Sequence, residues 1–182
     1  MARELFEKDE PQIAATAYVD ESARVIGDVT IGNDSSIWPM VVVRGDVNRI
    51  TIGDNSNIQD ASVLHVTHGY KDVPDGFPLS VGNNVTVGHK VILHGCLIED
   101  NCLIGMGSTI MDGVVVQPYA MVGAGSLVSP GKKLDGGYLW LGVPARKVRE
   151  LTEKEYAWID YSAIHYVNLK NRYMDLTAHH KK

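Results

Sequence analysis

A chain of 182 residues that is 45% hydrophobic and 21% charged, with a net charge of -5, fits one folded domain with an appendage and excludes a disordered segment. The acidic balance gives no reason to expect nucleic acid or an anionic membrane as partner. No stretch reads as a signal peptide or a membrane span, and two cysteines are too few for a disulfide scaffold, so a reducing cytoplasm is the expected compartment.

From Val25 to Val148 the chain returns about every six residues to an aliphatic side chain, often followed by glycine. Ile31-Gly32, Ile52-Gly53, Val81-Gly82, Val87-Gly88, Ile104-Gly105 and Val122-Gly123 carry the full signature, and Ile37, Val43, Ile58, Leu64, Leu93, Ile98, Ile110, Val116 and Val128 keep the beat. A small residue often sits two places earlier, as Ser35, Ser56, Ser62, Ser108 and Ala120 do, so small and large inward residues alternate. Gly32-Asn33, Gly53-Asp54 and Gly82-Asn83 are expected at tight corners, because these residue types tolerate positive φ. Short strands at constant spacing with a turn at each step predict a β-solenoid. The pattern resembles the left-handed parallel β-helix of hexapeptide-repeat proteins. That resemblance implies three hexads per triangular coil, roughly eighteen residues per turn and about seven coils.

Three interruptions break the beat. Val43 to Ile52 holds three extra residues around Asp46 to Arg49, and Leu64 to Val81 holds eleven, which predicts a protruding loop at Gly69 to Leu79. Leu93 to Ile98 is one residue short. Beyond Val148 the period becomes helical. Thr152 and Glu155 form a capping-box pair, and Tyr156, Ile159, Ala163, Tyr166 and Val167 share one stripe that should pack along the solenoid wall. The expected organisation is a mainly β solenoid domain over residues 1–149 and a helix with its tail over 150–182. Ala178 to Lys182, with His179 and His180, are expected to fray into solvent. Cys96 and Cys102 precede core positions by two places and read as small core residues.

Four of the seven histidines fall between positions 65 and 94. His65 follows Leu64 as His94 follows Leu93, and their separation of twenty-nine residues becomes eighteen once the loop is subtracted. They should stack in adjacent coils about 4.8 Å apart at the backbone, close enough for both rings to hold one metal ion at Zn–N distances of about 2.0–2.1 Å. Arg44 belongs to the same column and should turn aside into an ion pair with Asp46. His89 shares a different face with Gln59, so it can complete the site only from a neighbouring subunit. This predicts a homotrimer with three inter-subunit sites, each taking two histidines from one chain and one from the next. Three histidines with an open fourth position suit catalysis rather than structure. A lone outward histidine is ordinarily a surface residue; two in register with a third on the facing side are not ordinary.

Arg44-Gly45-Asp46, Asn57-Ile58-Gln59-Asp60, His65, and His89 with His94 five residues on resemble the γ-class carbonic anhydrases across Ile13 to Arg149. The resemblance implies zinc ligation by His65, His89 and His94, with ferrous iron or cobalt as other ions suited to three imidazoles. It implies that Gln59 orients the water or the substrate. Arg44 and Asp46 would form the ion pair that holds the trimer, Asn57 and Asp60 would back the pocket, and Tyr138 would line it. The implied activity is that of a lyase, the zinc-dependent hydration of CO2 to bicarbonate. The family's archetype carries proton-shuttling glutamates, whereas Val47 follows Asp46 here and His68 stands three places after His65. His68 either relays protons or is a hydrogen-bonded residue at the base of the loop. Hydrolysis of an activated ester or thioester at the same metal, hexapeptide acyl transfer without a metal, and a non-catalytic scaffold role are the competing functions.

Overall fold

The computed structural model describes residues 2–180, without the side chains of residues 177–180. Short parallel strands stack on three faces. The first face holds Arg24–Ile26, Val42–Val43, Val63–His65, Ile92–His94, Thr109–Ile110 and Leu127–Val128. The second runs from Gln12–Ile13 through Ile50–Ile52, Leu79–Val81 and Leu97–Ile98 to Lys133–Leu134. The third runs from Tyr18–Val19 through Asn57–Ile58 and Thr86–Val87 to Tyr138–Gly142. The result is the parallel β-helix that the hexads predict, about seven strands deep on each face. An antiparallel partner, Ala145–Glu150, closes the last coil. The hexad pattern did not announce this hairpin.

Inside the prism the hexad aliphatics carry the core. Ile37, Val43, Ile58, Leu64, Val87, Leu93, Ile98, Ile104, Ile110, Val116, Val122 and Val128 are all fully buried. Each such side chain contributes about 1.5–3 kcal/mol relative to an exposed one. The small residues two places earlier are buried too, and their hydroxyls serve the corners. Ser35 Oγ donates to Gly53 O at 2.6 Å and Ser56 Oγ to Gly82 O at 2.7 Å, while Ser62 Oγ donates to Gly88 O at 3.0 Å. No buried side-chain nitrogen or oxygen among the described residues lacks a partner.

The corners work differently from the sequence reading. Positive φ falls one residue later than expected, on Asp34, Asn55 and Asn84 rather than on the Gly-Asn or Gly-Asp pair. The glycines are needed for clearance instead. A Cβ on Gly53 would lie 2.6 Å from Asn83 Oδ1 and 2.8 Å from Gly82 O in the next coil.

Both insertions emerge where the beat breaks. Opposite Gly27–Val29, the strand Val42–Ile52 steps from Gly45 to Ile50, so three residues bulge outward. The longer insertion leaves the stack after His65 and returns at Leu79, folded on itself by bridges between Thr67 and Phe77 and between Tyr70 and Val73. Asn48 joins the two insertions, because its Nδ2 donates to Thr67 O at 3.0 Å and to Asp75 O at 2.8 Å.

The helix Glu153–His180 opens with the expected capping box. Thr152 N donates to Glu155 Oε2 at 2.8 Å, and Glu155 N to Thr152 Oγ1 at 3.3 Å. Arg149 and the Thr152 backbone hold the Glu155 carboxyl down at about 2. The helix packs on the third face against Tyr18–Val19, Ser36–Ile37, Asn57–Ile58 and Thr86–Val87. Ile159, Ser162, Ala163 and Lys170 are the buried ones among its described side chains, whereas Tyr156, expected on that stripe, is 36% exposed. The expected fraying at Ala178 to Lys182 falls largely outside the description: the backbone is helical to His180, the side chains of His179 and His180 are not described, and Lys181 and Lys182 lie beyond. No described helix is long and apolar enough to cross a membrane.

Cys96 and Cys102 are free and buried, and burial pushes both thiols up, Cys102 to about 12. Neither thiol should react with a disulfide reagent in the native protein, and both should react after denaturation. Rapid native labelling would contradict this packing.

Candidate metal centre

His65 and His94 end neighbouring strands of the first face and are direct register partners. Their rings face one another, with His65 Nδ1 3.1 Å from His94 Nε2 and ring centroids 5.1 Å apart. The outer nitrogen of each ring meets a carboxylate. His65 Nε2 lies 3.1 Å from Asp46 Oδ1, and His94 Nδ1 lies 2.7 Å from Asp112 Oδ1. An ionised carboxylate only accepts, so both outer nitrogens donate and carry the imidazole protons. For neutral rings the two inner nitrogens then present lone pairs to each other. Such a contact is repulsive unless a cation joins it, and two nitrogens on one tetrahedral ion at about 2.0–2.1 Å would stand about 3.3 Å apart. Burial lowers the His65 pKa, and the bond to Asp46 opposes that shift without overcoming it, so this ring is neutral near pH 7. The donor set therefore fits a divalent ion.

Asp46 also takes the Arg44 guanidinium, so the two residues pair within one chain. Burial alone would raise the Asp46 carboxyl, but Arg44 and His65 together hold it below the usual range. His89 sits past the end of Thr86–Val87 on the third face, with Nδ1 2.9 Å from Asp60 Oδ2 and Nε2 as its remaining nitrogen. A corner with Lys90 at φ 57° lies between it and His94. Among the described residues of one chain, no group of three His, Cys, Asp or Glu side chains could hold a metal ion.

Gln59 is buried, and its Nε2 donates to Asn57 Oδ1 at 3.0 Å. Asn57 Nδ2 in turn donates to Thr86 Oγ1 at 3.0 Å, and Thr86 Oγ1 to Ser162 Oγ of the helix at 3.1 Å. Gln59 and His89 line a groove of about 280 Å³ whose other walls include Leu103, Met106, Trp158 and Tyr166. Burial and the nearby Asp60 raise the Tyr166 hydroxyl above its ordinary pKa.

The "Bacterial transferase hexapeptide (six repeats)" family matches residues 95–130. Gamma carbonic anhydrase 2, mitochondrial, of Arabidopsis thaliana is 47% identical over 91% of this chain and 59% of its own length. The "Probable carbonic anhydrase" of Methanocaldococcus jannaschii is 44% identical over 86% of this chain and 94% of its own. The chain belongs to the γ-class carbonic anhydrase family. Protein YrdA of Escherichia coli K12 is 51% identical over 95% of this chain and 92% of its own length.

The other residues expected at the site of this γ-class chain have clear positions. His68 is exposed on the loop, beyond the strand that ends at His65. Tyr138 is not brought to the histidines of its own chain. It begins the last strand of the third face, three strands along from Thr86–Val87, with its hydroxyl 3.4 Å from Glu150 Oε1 and Lys147 Nζ 4.1 Å from its ring centre. The closing hairpin pins it there.

Sequence reasoning missed Asp112, Thr67, Asn48, Thr86 and Ser162. The one-residue shortfall after Leu93 was the available signal for Asp112. Leu93 pairs with Ile110, only seventeen residues on, so the position under Gly95 falls to Asp112.

Proposed function

We propose that the protein is a divalent-metal-dependent lyase that hydrates CO2 to bicarbonate at sites shared between subunits of a homotrimer in a reducing cytoplasm. One observation carries the reading: two imidazole nitrogens face each other at 3.1 Å while a carboxylate occupies the far side of each ring. His65 Nδ1 and His94 Nε2 of one chain would hold the ion with His89 Nε2 of the next. Zinc is the first choice, and ferrous iron or cobalt also suit three imidazoles. When bound, such an ion draws the pKa of a water molecule towards about 7, so that a nucleophile exists at neutral pH.

The chain's own residues do the rest. Asp46, Asp60 and Asp112 orient the three rings and keep their ligating nitrogens unprotonated. Gln59 has its amide nitrogen engaged by Asn57 and so turns its carbonyl oxygen to the groove. There it accepts a hydrogen bond from the attacking water and aims that water's lone pair at carbon. Addition of the oxygen to CO2 gives bicarbonate, and one proton must leave. His68, exposed near the base of the loop, is the residue we assign to that transfer. Tyr138, which stands three strands from Thr86–Val87 in its own chain, would line the pocket only from a neighbouring subunit.

Stopped-flow hydration by anaerobically purified protein loaded with zinc or ferrous iron tests the proposal. A rate above that of the His65→Ala variant, with about one ion per chain, is expected; equal rates reject the activity.

A second reading, hydrolysis of an activated ester or thioester at the same site, is favoured by the groove beside His89. Its volume of about 280 Å³ is many times the roughly 30 Å³ share of one water molecule and leaves room for an apolar acyl group. Acyl-CoA or nitrophenyl-ester hydrolysis without CO2 hydration would select it.

A further inference from the structure

The three carboxylates behind the histidines are not equivalent. Asp46 divides its charge between His65 and the Arg44 guanidinium. Asp60 is 47% exposed at its side chain and meets His89 at 2.9 Å, where water screens it. Asp112 is 30% exposed, and its two partners among the described residues are the His94 ring and the Thr67 hydroxyl. Oδ1 takes His94 Nδ1 at 2.7 Å, the shortest of the three histidine–carboxylate contacts, and Oδ2 takes Thr67 Oγ1 at 3.0 Å. No lysine or arginine among the described residues pairs with it.

The surroundings are built around that carboxylate. Gly95 follows His94 with φ +51, and a Cβ there would lie 2.3 Å from Asp112 Oδ1. Any side chain at position 95 would push Asp112 off His94. Thr67 fixes the rotation of the carboxylate, and Thr67 is itself held by Asn48 through its carbonyl. The bulge at residues 46–49 and the long loop, separate interruptions of the repeat, thus meet at Thr67, whose hydroxyl binds the carboxylate behind His94.

We propose that Asp112 is the main positioning residue of the metal centre: its full negative charge fixes the Nδ1–H tautomer of His94 and makes His94 Nε2 the strongest donor to the ion. Thr67 and Gly95 hold Asp112 for this role. The proposal rests on the metal reading of the site and deepens it. The two predict different failures.

The test uses full-length wild-type, Asp112→Ala, Asp112→Asn, Asp60→Ala and Thr67→Val chains. Zinc affinity is read by competition with a chromophoric chelator, and the His94 tautomer by ring-nitrogen NMR in zinc-loaded and zinc-free protein. Far-UV circular dichroism and size-exclusion light scattering confirm fold and assembly. Asp112→Ala should weaken zinc binding about 10- to 100-fold and lose the Nδ1–H tautomer. Asp112→Asn should fall between it and wild type, since the amide oxygen still accepts but carries no charge. It also keeps the shape of the site if the alanine variant does not fold. Asp60→Ala and Thr67→Val should lose less than Asp112→Ala. A wild-type chain that binds zinc beside aspartate variants that bind it equally well would overturn the proposal alone. A wild-type chain that takes up no zinc would overturn the metal reading and this proposal with it.

Discussion

His89→Ala chains and His65→Ala chains, each unable to hold zinc by itself, are expected to regain it when assembled together. The expectation follows from winding. His65 and His94 end strands of the first face, while His89 stands beyond the end of a strand on the third. Among the described residues of one chain no three such side chains could hold an ion, so in the proposed site the third ligand comes from another chain. The proposed ring of three identical chains would make this contact head to tail, with the paired histidines of each chain facing His89 of the next. In a ring of either variant alone, every site lacks one ligand. A ring containing both variants has one junction at which a chain with intact His65 and His94 meets a neighbour with intact His89, whichever variant is present twice. Co-expression under two affinity tags and purification on both isolates the mixed rings. These should carry about one third of the wild-type zinc, with hydration activity in proportion. Wild-type zinc content in His89→Ala alone would show that two histidines suffice. Mixed rings without zinc would show that the ligands do not converge across chains. Either result removes the shared site.

The parts legible in the sequence are those set by counting. The hexad beat gave the inward residues because a solenoid repeats the same environment at a fixed interval. Ile58 and Val87, twenty-nine residues apart, are in register, as are His65 and His94. The same count places Asp60 under His89, so that carboxylate was readable as well. What counting could not supply was contact at the edges of the repeat. Asp112 reaches His94 only because the coil after Leu93 is one residue short and Gly95 leaves the space open. Asn48 joins two insertions whose shapes no periodicity encodes. Ser162 and Lys170 lie outside the apolar stripe of the helix, yet both are buried because Thr86 and Asp34 of the solenoid offer them partners. Tyr138 was placed by resemblance, and the hairpin's pairing sets its position in its own chain.

Lys170 gives the second large expected effect. Asp34→Asn should destabilise the protein by about 2–3 kcal/mol, whereas Lys170→Met should change stability by about 1 kcal/mol or less. Lys170 is 1% exposed, yet its ammonium donates to Thr16 O at 2.8 Å, Asp34 Oδ1 at 2.7 Å and Asn171 Oδ1 at 2.6 Å. These bonds fasten the C-terminal helix to the first coils, more than 130 residues away in sequence. A buried ammonium needs a counter-charge, and Asp34 is its one anionic partner among the described residues. Asparagine at position 34 keeps an acceptor and tolerates the positive φ of 56° found there, so the substitution removes charge without straining the corner. Alanine would confound the two effects. Because the Asp34 side chain is 40% exposed, the cost should fall below the 3–5 kcal/mol typical of a fully buried broken pair. Methionine at 170 fills similar volume and carries no charge to desolvate. Urea unfolding of the two variants measures both values. Equal losses would mean that the ion pair is itself net stabilising; a loss confined to Asp34→Asn identifies the pair as the condition for burying this lysine, and with it the seat of the helix that carries Ser162 to Thr86 behind Gln59.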